Sequence, residues 1–181
     1  MVGCANHPYD HIMKHLQFFS IALAFVTSAV SANAQATSPC PADPQRHHFD
    51  FWIGQWDVTT KEGKQVGTSR IESISGGCAI LENWSAGRGG SGKSINAYNP
   101  TLKQWQQYWV GSDGEILDYQ RSEFDGKSMI FFITDAGKPS ARQRLTFTPQ
   151  DEKTVRQHSE KSADGGATWA TEYDFYYHRL P

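Results

Sequence analysis

The sequence predicts an all-β fold, an antiparallel up-and-down barrel of about ten strands. Three observations lead to this prediction. Short segments of alternating apolar and polar residues follow one another, tight turns such as Asp113-Gly114 and Asp125-Gly126 separate them, and no amphipathic helical window follows the first 34 residues. Strands joined by short turns pair antiparallel with their neighbours, and such a meander hides its edges by closing on itself.

The predicted elements begin with one helical turn at 47–52, and the strands follow it. They span 55–60, 65–73, 78–86, 93–98, 104–110, 115–123, 127–134, 141–149, 154–161 and 168–179. Turn residues separate them, among them Gly76-Gly77, Asn99-Pro100 and Gly137-Lys138-Pro139. A β-sandwich is the alternative, but it would need longer connections, and a propeller would need a repeat of about forty residues that the chain lacks.

The first 34 residues have the pattern of a signal peptide. Lys14 precedes an apolar run over 16–30, and Ala32-Asn33-Ala34 forms a cleavage site. The run is shorter than the roughly twenty residues that a spanning helix needs, so we expect cleavage rather than a membrane anchor. The mature chain then begins near Gln35, with an N-terminal extension over 35–46 and the barrel over 47–181. We expect a periplasmic or secreted protein with no membrane partner after cleavage.

Charge and cysteine content limit the partners and the compartment. The formal net charge is −2, which argues against a nucleic-acid partner because phosphate recognition needs a basic surface. Cys40 and Cys78 remain after leader removal, and in an exported chain they suggest one disulfide from the N-terminal segment to the barrel. Two unpaired thiols are the alternative, and the spacing does not decide between them. The oligomeric state is not predicted.

A cluster of aromatic residues opens the first strand, in the segment Phe49-Asp50-Phe51-Trp52-Ile53-Gly54-Gln55-Trp56-Asp57-Val58. Gly54-x-Trp56, together with Arg179 near the end of the last strand, resembles the structural signature of the calycins, which include the lipocalins. The whole segment, with Glu82-Asn83-Trp84 and 162–169, more narrowly resembles a bacterial domain-of-unknown-function family over 46–179. The resemblance implies a calycin-like barrel whose floor is held by Arg179 packed over Trp56, and it implies no reaction.

Two further motifs suggest chemistry. Ser162-Ala163-Asp164-Gly165-Gly166-Ala167-Thr168-Trp169 matches the Asp-box of sialidase propellers, in which the box is a surface hairpin. Glycoside cleavage needs paired carboxylates across a cleft, so we predict a structural role for Asp164, Gly166 and Trp169. A likeness to nitrobindins, small haem-binding barrels, would make His178 a haem ligand. Otherwise no cofactor and no metal site is predicted, because His47 and His48 would point about 100° apart in a helical turn.

We expect the barrel to bind a small apolar or aromatic molecule in its lumen. The candidate lumen residues are polar or aromatic and lie in strands: Glu82, Trp84, Asn96, Trp105, Gln107, Trp109, Arg156 and His158. Glu82 is the strongest, because a carboxylate buried in a central strand needs a partner or a ligand. The alternatives are an isomerase or hydratase with Glu82 and Arg156 or His158 as an acid–base pair, and an interaction module whose barrel is filled by side chains.

Overall fold

The computed structural model describes residues 40–134 and 142–181, which form one antiparallel sheet of eleven strands. The strands are β1 Gly54–Thr60, β2 Gln65–Ile74, β3 Ala79–Ala86, β4 Ser91–Asn99, β5 Gln104–Gly111, β6 Ile116–Tyr119, β7 Arg121–Phe124, β8 Met129–Thr134, β9 Arg142–Pro149, β10 Thr154–Ser162 and β11 Ala170–Arg179. Each pairs with its sequence neighbour except β6 with β7, and β1 pairs with β11. The predicted up-and-down barrel is confirmed, and it is nearly closed.

One predicted strand, 115–123, differs from the structure. It is divided at Gln120 into β6, which pairs with β5, and β7, which pairs with β8. At this position the backbone carbonyl of Gln120 accepts hydrogen bonds from the side chains of Gln104 (2.7 Å) and Gln106 (3.3 Å). The chain therefore changes pairing partner at Gln120, and this change brings the two edges of the sheet together.

Several sequence predictions fall outside the described residues. They are the signal peptide 1–34, the first part of the extension, and the turn Gly137-Lys138-Pro139. Within the two described ranges, no helix is long and apolar enough to cross a membrane. The helical content there is three short 3₁₀ turns, Pro44–His47, Asp50–Trp52 and Ser75–Gly77.

Aromatic side chains fill one end of the barrel. Phe49 and Trp52 are fully buried, their rings stack with centroids 5.0 Å apart, and both pack against Phe147. Trp56 is also fully buried, and its indole N–H donates to the carbonyl of Trp52 (2.9 Å). Buried aromatic rings of this size contribute a large share of the hydrophobic stabilisation of a small domain. This end of the barrel is a packed core.

Arg179 of the final strand contacts the aromatic end of the barrel, which we call the floor (Phe49, Trp52 and Trp56). The guanidinium carbon of Arg179 lies 4.2 Å from the centroid of the Trp56 ring, a cation–π contact. The same group donates to the carbonyls of Ile53 (2.7 Å) and Phe51 (3.2 Å). Gly54 has a φ of +151°, and a Cβ there would lie 2.2 Å from an Arg179 nitrogen. This is the arrangement that the resemblance to calycins implied for these residues.

The predicted disulfide between Cys40 and Cys78 is confirmed, with Cα atoms 5.1 Å apart. The backbone N–H of Cys40 also donates to the carbonyl of Gly76 (2.8 Å). The N-terminal segment is therefore tied to the 3₁₀ turn that precedes β3.

The Asp-box segment forms the connection between β10 and β11. The carboxylate of Asp164 accepts from the backbone N–H of Thr168 (2.9 Å) and from the hydroxyls of Thr168 (2.6 Å) and Ser162 (2.7 Å). These bonds, led by the Thr168 hydroxyl, lower the pKa of Asp164. The indole of Trp169 donates to the carbonyl of Gly166 (3.0 Å). The segment has the geometry of a structural hairpin.

Candidate functional site

A cavity of about 210 Å³ lies inside the barrel beyond the aromatic floor. Its walls carry six aromatic residues and two leucines, Trp84, Trp109, Tyr119, Tyr173, Phe175, Tyr177, Leu117 and Leu145, together with six Glu or Gln residues, Glu82, Gln107, Glu115, Gln143, Gln157 and Glu172. Glu82 is 3% exposed, whereas Trp84 and Trp109 are only partly buried. The carboxyl group of Glu82 therefore lies at the inner end of the cavity, deep inside the protein, and the cavity opens past the two indoles.

Strand alternation and one glycine help to produce these aromatic walls. Tyr173, Phe175 and Tyr177 occupy alternate positions of β11 and so project from one face of the sheet. A Cβ at Gly92 would lie 2.2 Å from the ring of Trp109, and both residues are on paired strands. Glycine at this position therefore makes room for the indole against the neighbouring strand.

Three hydroxyl groups surround the carboxyl group of Glu82. The hydroxyl of Ser69 donates to one oxygen (3.0 Å), that of Ser94 donates to the other (3.0 Å), and that of Tyr177 lies 3.4 Å from the first. Tyr177 also donates to the side-chain carbonyl of Gln157 at a shorter distance, 3.0 Å. Burial raises the pKa of Glu82 from 4.5 to about 7, and the hydroxyls oppose this rise only in part. The carboxyl group is therefore poised to change its charge near neutral pH.

A chain of amide and hydroxyl groups connects the cavity wall to Glu82. The amide of Gln107 donates to the side-chain carbonyl of Asn96 (2.6 Å), and the amide of Asn96 donates to the hydroxyl of Ser94 (3.0 Å). Asn96 is fully buried behind the wall and lines no part of the cavity. Because each group in this chain donates towards Glu82, the network stabilises the carboxylate rather than the neutral acid.

The hydroxyl of Tyr119 is an unpartnered polar group in the cavity wall. The side chain is fully buried, and its oxygen has no hydrogen-bond partner within the described part of the chain. Burial is the main cause that raises its pKa, followed by the charges of Tyr173, Glu172 and Glu115. A buried hydroxyl without a partner costs free energy that a ligand could recover by bonding to it.

The structure places the sequence-predicted residues of β3, β4 and β5 as follows. Glu82, Trp84, Gln107 and Trp109 line the cavity. Trp105 faces the barrel interior but packs in the floor, where its indole donates to the carbonyl of Gln45 (2.9 Å) and its ring meets Phe49 edge to face. Trp105 is therefore part of the core and not part of the cavity wall.

The expectation that Arg156 and His158 face the lumen is corrected by the structure. In β10 the buried alternate positions are Val155, Gln157 and Ser159, which puts Arg156 and His158 on the outer face. There Arg156 makes a two-point ion pair with Asp174 (2.7 and 2.9 Å). Both faces of this strand carry polar residues, so polarity alone did not indicate its orientation. An acid–base pair of Glu82 with either residue has no support in this geometry.

His178 lies next to Tyr177 on the final strand but is exposed, and its ring contacts the hydroxyl of Thr59 (3.1 Å). It does not line the cavity. Among residues 40–134 and 142–181, no group of three or more His, Cys, Asp or Glu side chains is placed to hold a metal ion.

Sequence reasoning missed much of the wall. The residues that it did not name are Leu117, Tyr119, Gln143, Leu145, Gln157, Glu115, Glu172, Tyr173, Phe175 and Tyr177. A partial signal was present in β11, where Tyr173, Phe175 and Tyr177 occupy alternate positions, but Tyr176 lies between two of them and interrupts the alternation of aromatic with polar residues.

Comparisons with known proteins give little beyond the fold. No protein-family model matches the chain, and no curated protein matches it. Among solved structures it is similar to a de novo designed fluorescence-activating β-barrel, at 14% identity and a TM-score of 0.37, over 72% of this chain and 95% of the designed one. A likeness this distant carries no argument about ligand or activity.

Proposed function

We propose that this protein is an exported barrel that binds a small, largely apolar or aromatic molecule in its lumen. The cavity itself is the observation that supports the proposal. It combines aromatic and leucine side chains with inward carboxyl, amide and hydroxyl groups, the buried carboxyl of Glu82 and the unpartnered hydroxyl of Tyr119 among them. Apolar walls with a small number of placed polar groups are typical of ligand sites.

The size of the cavity limits the ligand. An engineered apolar cavity of about 150 Å³ in another protein binds benzene. The present cavity, at about 210 Å³, therefore suits a molecule with one aromatic ring and a short substituent, and not a long lipid chain. A barrel that serves only as an interaction module would not need this space.

We also propose that the protein works outside the cytoplasm and is related to the calycins. The Cys40–Cys78 disulfide supports the first proposal, since such bonds persist in oxidising compartments. The Arg179–Trp56 contact at the barrel floor supports the second. Mass analysis of the protein recovered from its host envelope should give an N-terminus near Gln35, and an uncleaved leader would contradict export by this route.

Native mass spectrometry of the protein purified from its host tests ligand binding directly. We expect an additional small mass that is lost on mild activation, or that is replaced when a one-ring aromatic compound is added. A protein that neither retains nor exchanges a small molecule would contradict the proposal.

Two neighbouring substitutions on β9 provide a matched control. Leu145 lines the cavity, so Leu145→Trp should fill the space and abolish binding. Thr146 is the next residue and lies on the outer face, so Thr146→Trp should leave binding unchanged. Melting curves of both variants show whether the barrel is intact, and equal loss of binding in two folded variants would argue against a site in the lumen.

A further inference from the structure

The charged residues of the cavity wall all have one sign. Three glutamates line the cavity, Glu82 at its inner end and Glu115 and Glu172 towards its mouth. No lysine, arginine or histidine is among the described residues that line it. A carboxylate or phosphate ligand would therefore meet like charges without any compensating cation.

The three glutamates are not equivalent. Glu172 forms an ion pair with Lys161, which is not a lining residue, and accepts from Gln143 (2.9 Å) and Ser159 (2.9 Å). Glu82 is surrounded by hydroxyl groups and has no ion-pair partner in the described structure. Glu82 is thus the buried carboxylate whose charge a ligand could balance.

The aromatic rings complete a site suited to positive charge. The π faces of tryptophan, tyrosine and phenylalanine attract cations, and cages of such rings recognise ammonium groups. The ring of Phe175 stacks with that of Tyr173 (centroids 4.7 Å apart) and is nearly parallel to that of Trp84 (6.3 Å), and Trp109 lines the same cavity. The unpartnered oxygen of Tyr119 is a further independent feature of this wall, and it can accept a hydrogen bond from an ammonium N–H.

We propose that the ligand is a small organic cation, an ammonium group on an apolar or aromatic body, held among these rings and by the carboxylate of Glu82. This inference rests on the proposed function and names the class of ligand. Neighbouring elements present Ser69 from β2, Ser94 from β4, Gln157 from β10 and Tyr177 from β11 to the same carboxyl region. None of these side chains carries a charge at neutral pH that could replace a cationic ligand.

Two isosteric probes test the charge of the ligand. Phenyltrimethylammonium carries a permanent positive charge, and tert-butylbenzene has the same shape without it. At pH 8.5, where Glu82 is ionised, we expect the wild-type protein to bind the cation about tenfold more tightly, a factor that corresponds to 1.4 kcal/mol. Tryptophan fluorescence can follow binding because Trp84 and Trp109 line the cavity.

Glu82→Gln should remove this preference while leaving the affinity for tert-butylbenzene unchanged or higher. Glu123→Gln is the matched control, because it removes the same charge from the outer side of β7 and should keep the preference. Should Glu82→Gln fail to fold, the wild-type protein still gives a test: its affinity for phenyltrimethylammonium should rise between pH 6 and pH 8, whereas that for tert-butylbenzene should stay constant.

The possible results separate this inference from the proposal on which it rests. Benzoate serves as a third probe, with a negative charge. If tert-butylbenzene binds as tightly as phenyltrimethylammonium or more tightly, or if benzoate binds most tightly, the cation inference is overturned and a ligand-binding barrel remains. Failure of all three probes to bind, with no molecule retained by the purified protein, would overturn both.

Discussion

The buried carboxyl of Glu82 makes the stability of the free protein depend on pH in a specific way. Burial raises its pKa from 4.5 to about 7 in the folded state. The folded protein thus holds this proton more tightly than the unfolded chain does, so the contribution to stability is complete below pH 4.5 and is lost as the pH rises through about 7. At 1.36 kcal/mol for each pKa unit, the loss is about 3 kcal/mol.

Glu82→Gln provides the comparison, because glutamine cannot titrate but can still bond to the hydroxyls of Ser69 and Ser94. Relative to wild type, the variant should gain about 3 kcal/mol in its free energy of unfolding between pH 4.5 and pH 8. Urea denaturation of both proteins at several pH values, with the disulfide intact, measures this difference. Glu123→Gln, on the outer surface, controls for the removal of one carboxylate.

A constant difference between wild type and Glu82→Gln over this pH range would refute the reasoning. It would mean that the carboxyl of Glu82 is solvated in the folded protein, and the inner end of the cavity would then not be the buried site described above.

Three further predictions concern the floor, the disulfide and the mouth. Arg179→Ala should lower the free energy of unfolding by about 2–4 kcal/mol, because it removes the cation–π contact with Trp56 and two hydrogen bonds, and a loss below about 0.5 kcal/mol in urea denaturation would contradict this role. Reduction of the disulfide, which spans a sequence separation of 38, should cost about 3–4 kcal/mol, so that an unchanged melting curve in reductant would argue against it. Gly92→Ala should displace the ring of Trp109 and weaken the binding of phenyltrimethylammonium. The control variant Gly87→Ala, whose added Cβ would lie 3.5 Å from its nearest atom, should bind this cation normally. Equal affinities of the two variants for the cation would disprove the tight packing of Trp109 against Gly92.

Much of the architecture could be predicted from the sequence because the relevant signals are local. Turn residues and the alternation of apolar with polar residues predicted the positions of the strands, and the two cysteines of an exported chain suggested the disulfide. The division of one predicted strand at Gln120 could not be predicted, because it depends on which strands its two halves pair with, β5 and β8. Local pattern carries no information about such long-range pairing.

The candidate site was predictable in part: Glu82, Trp84, Gln107 and Trp109 were named from the sequence and line the cavity. Glu82 was identified because a carboxylate in a central strand requires an explanation, and it does lie at the cavity. Arg156 was placed on the wrong face because its partner Asp174 is on β11, and that pairing cannot be seen from β10 alone. The inward face of β6 was not evident either, since this strand has only four residues, Ile116–Tyr119.

A crystal structure of the protein grown at pH 8 with phenyltrimethylammonium would test the central claim most directly. The account predicts the molecule inside the barrel, between the rings of Trp84, Trp109 and Phe175, with its ammonium group directed towards the carboxylate of Glu82. An empty lumen, or the molecule bound on the outer surface with the interior closed by side chains, would contradict it.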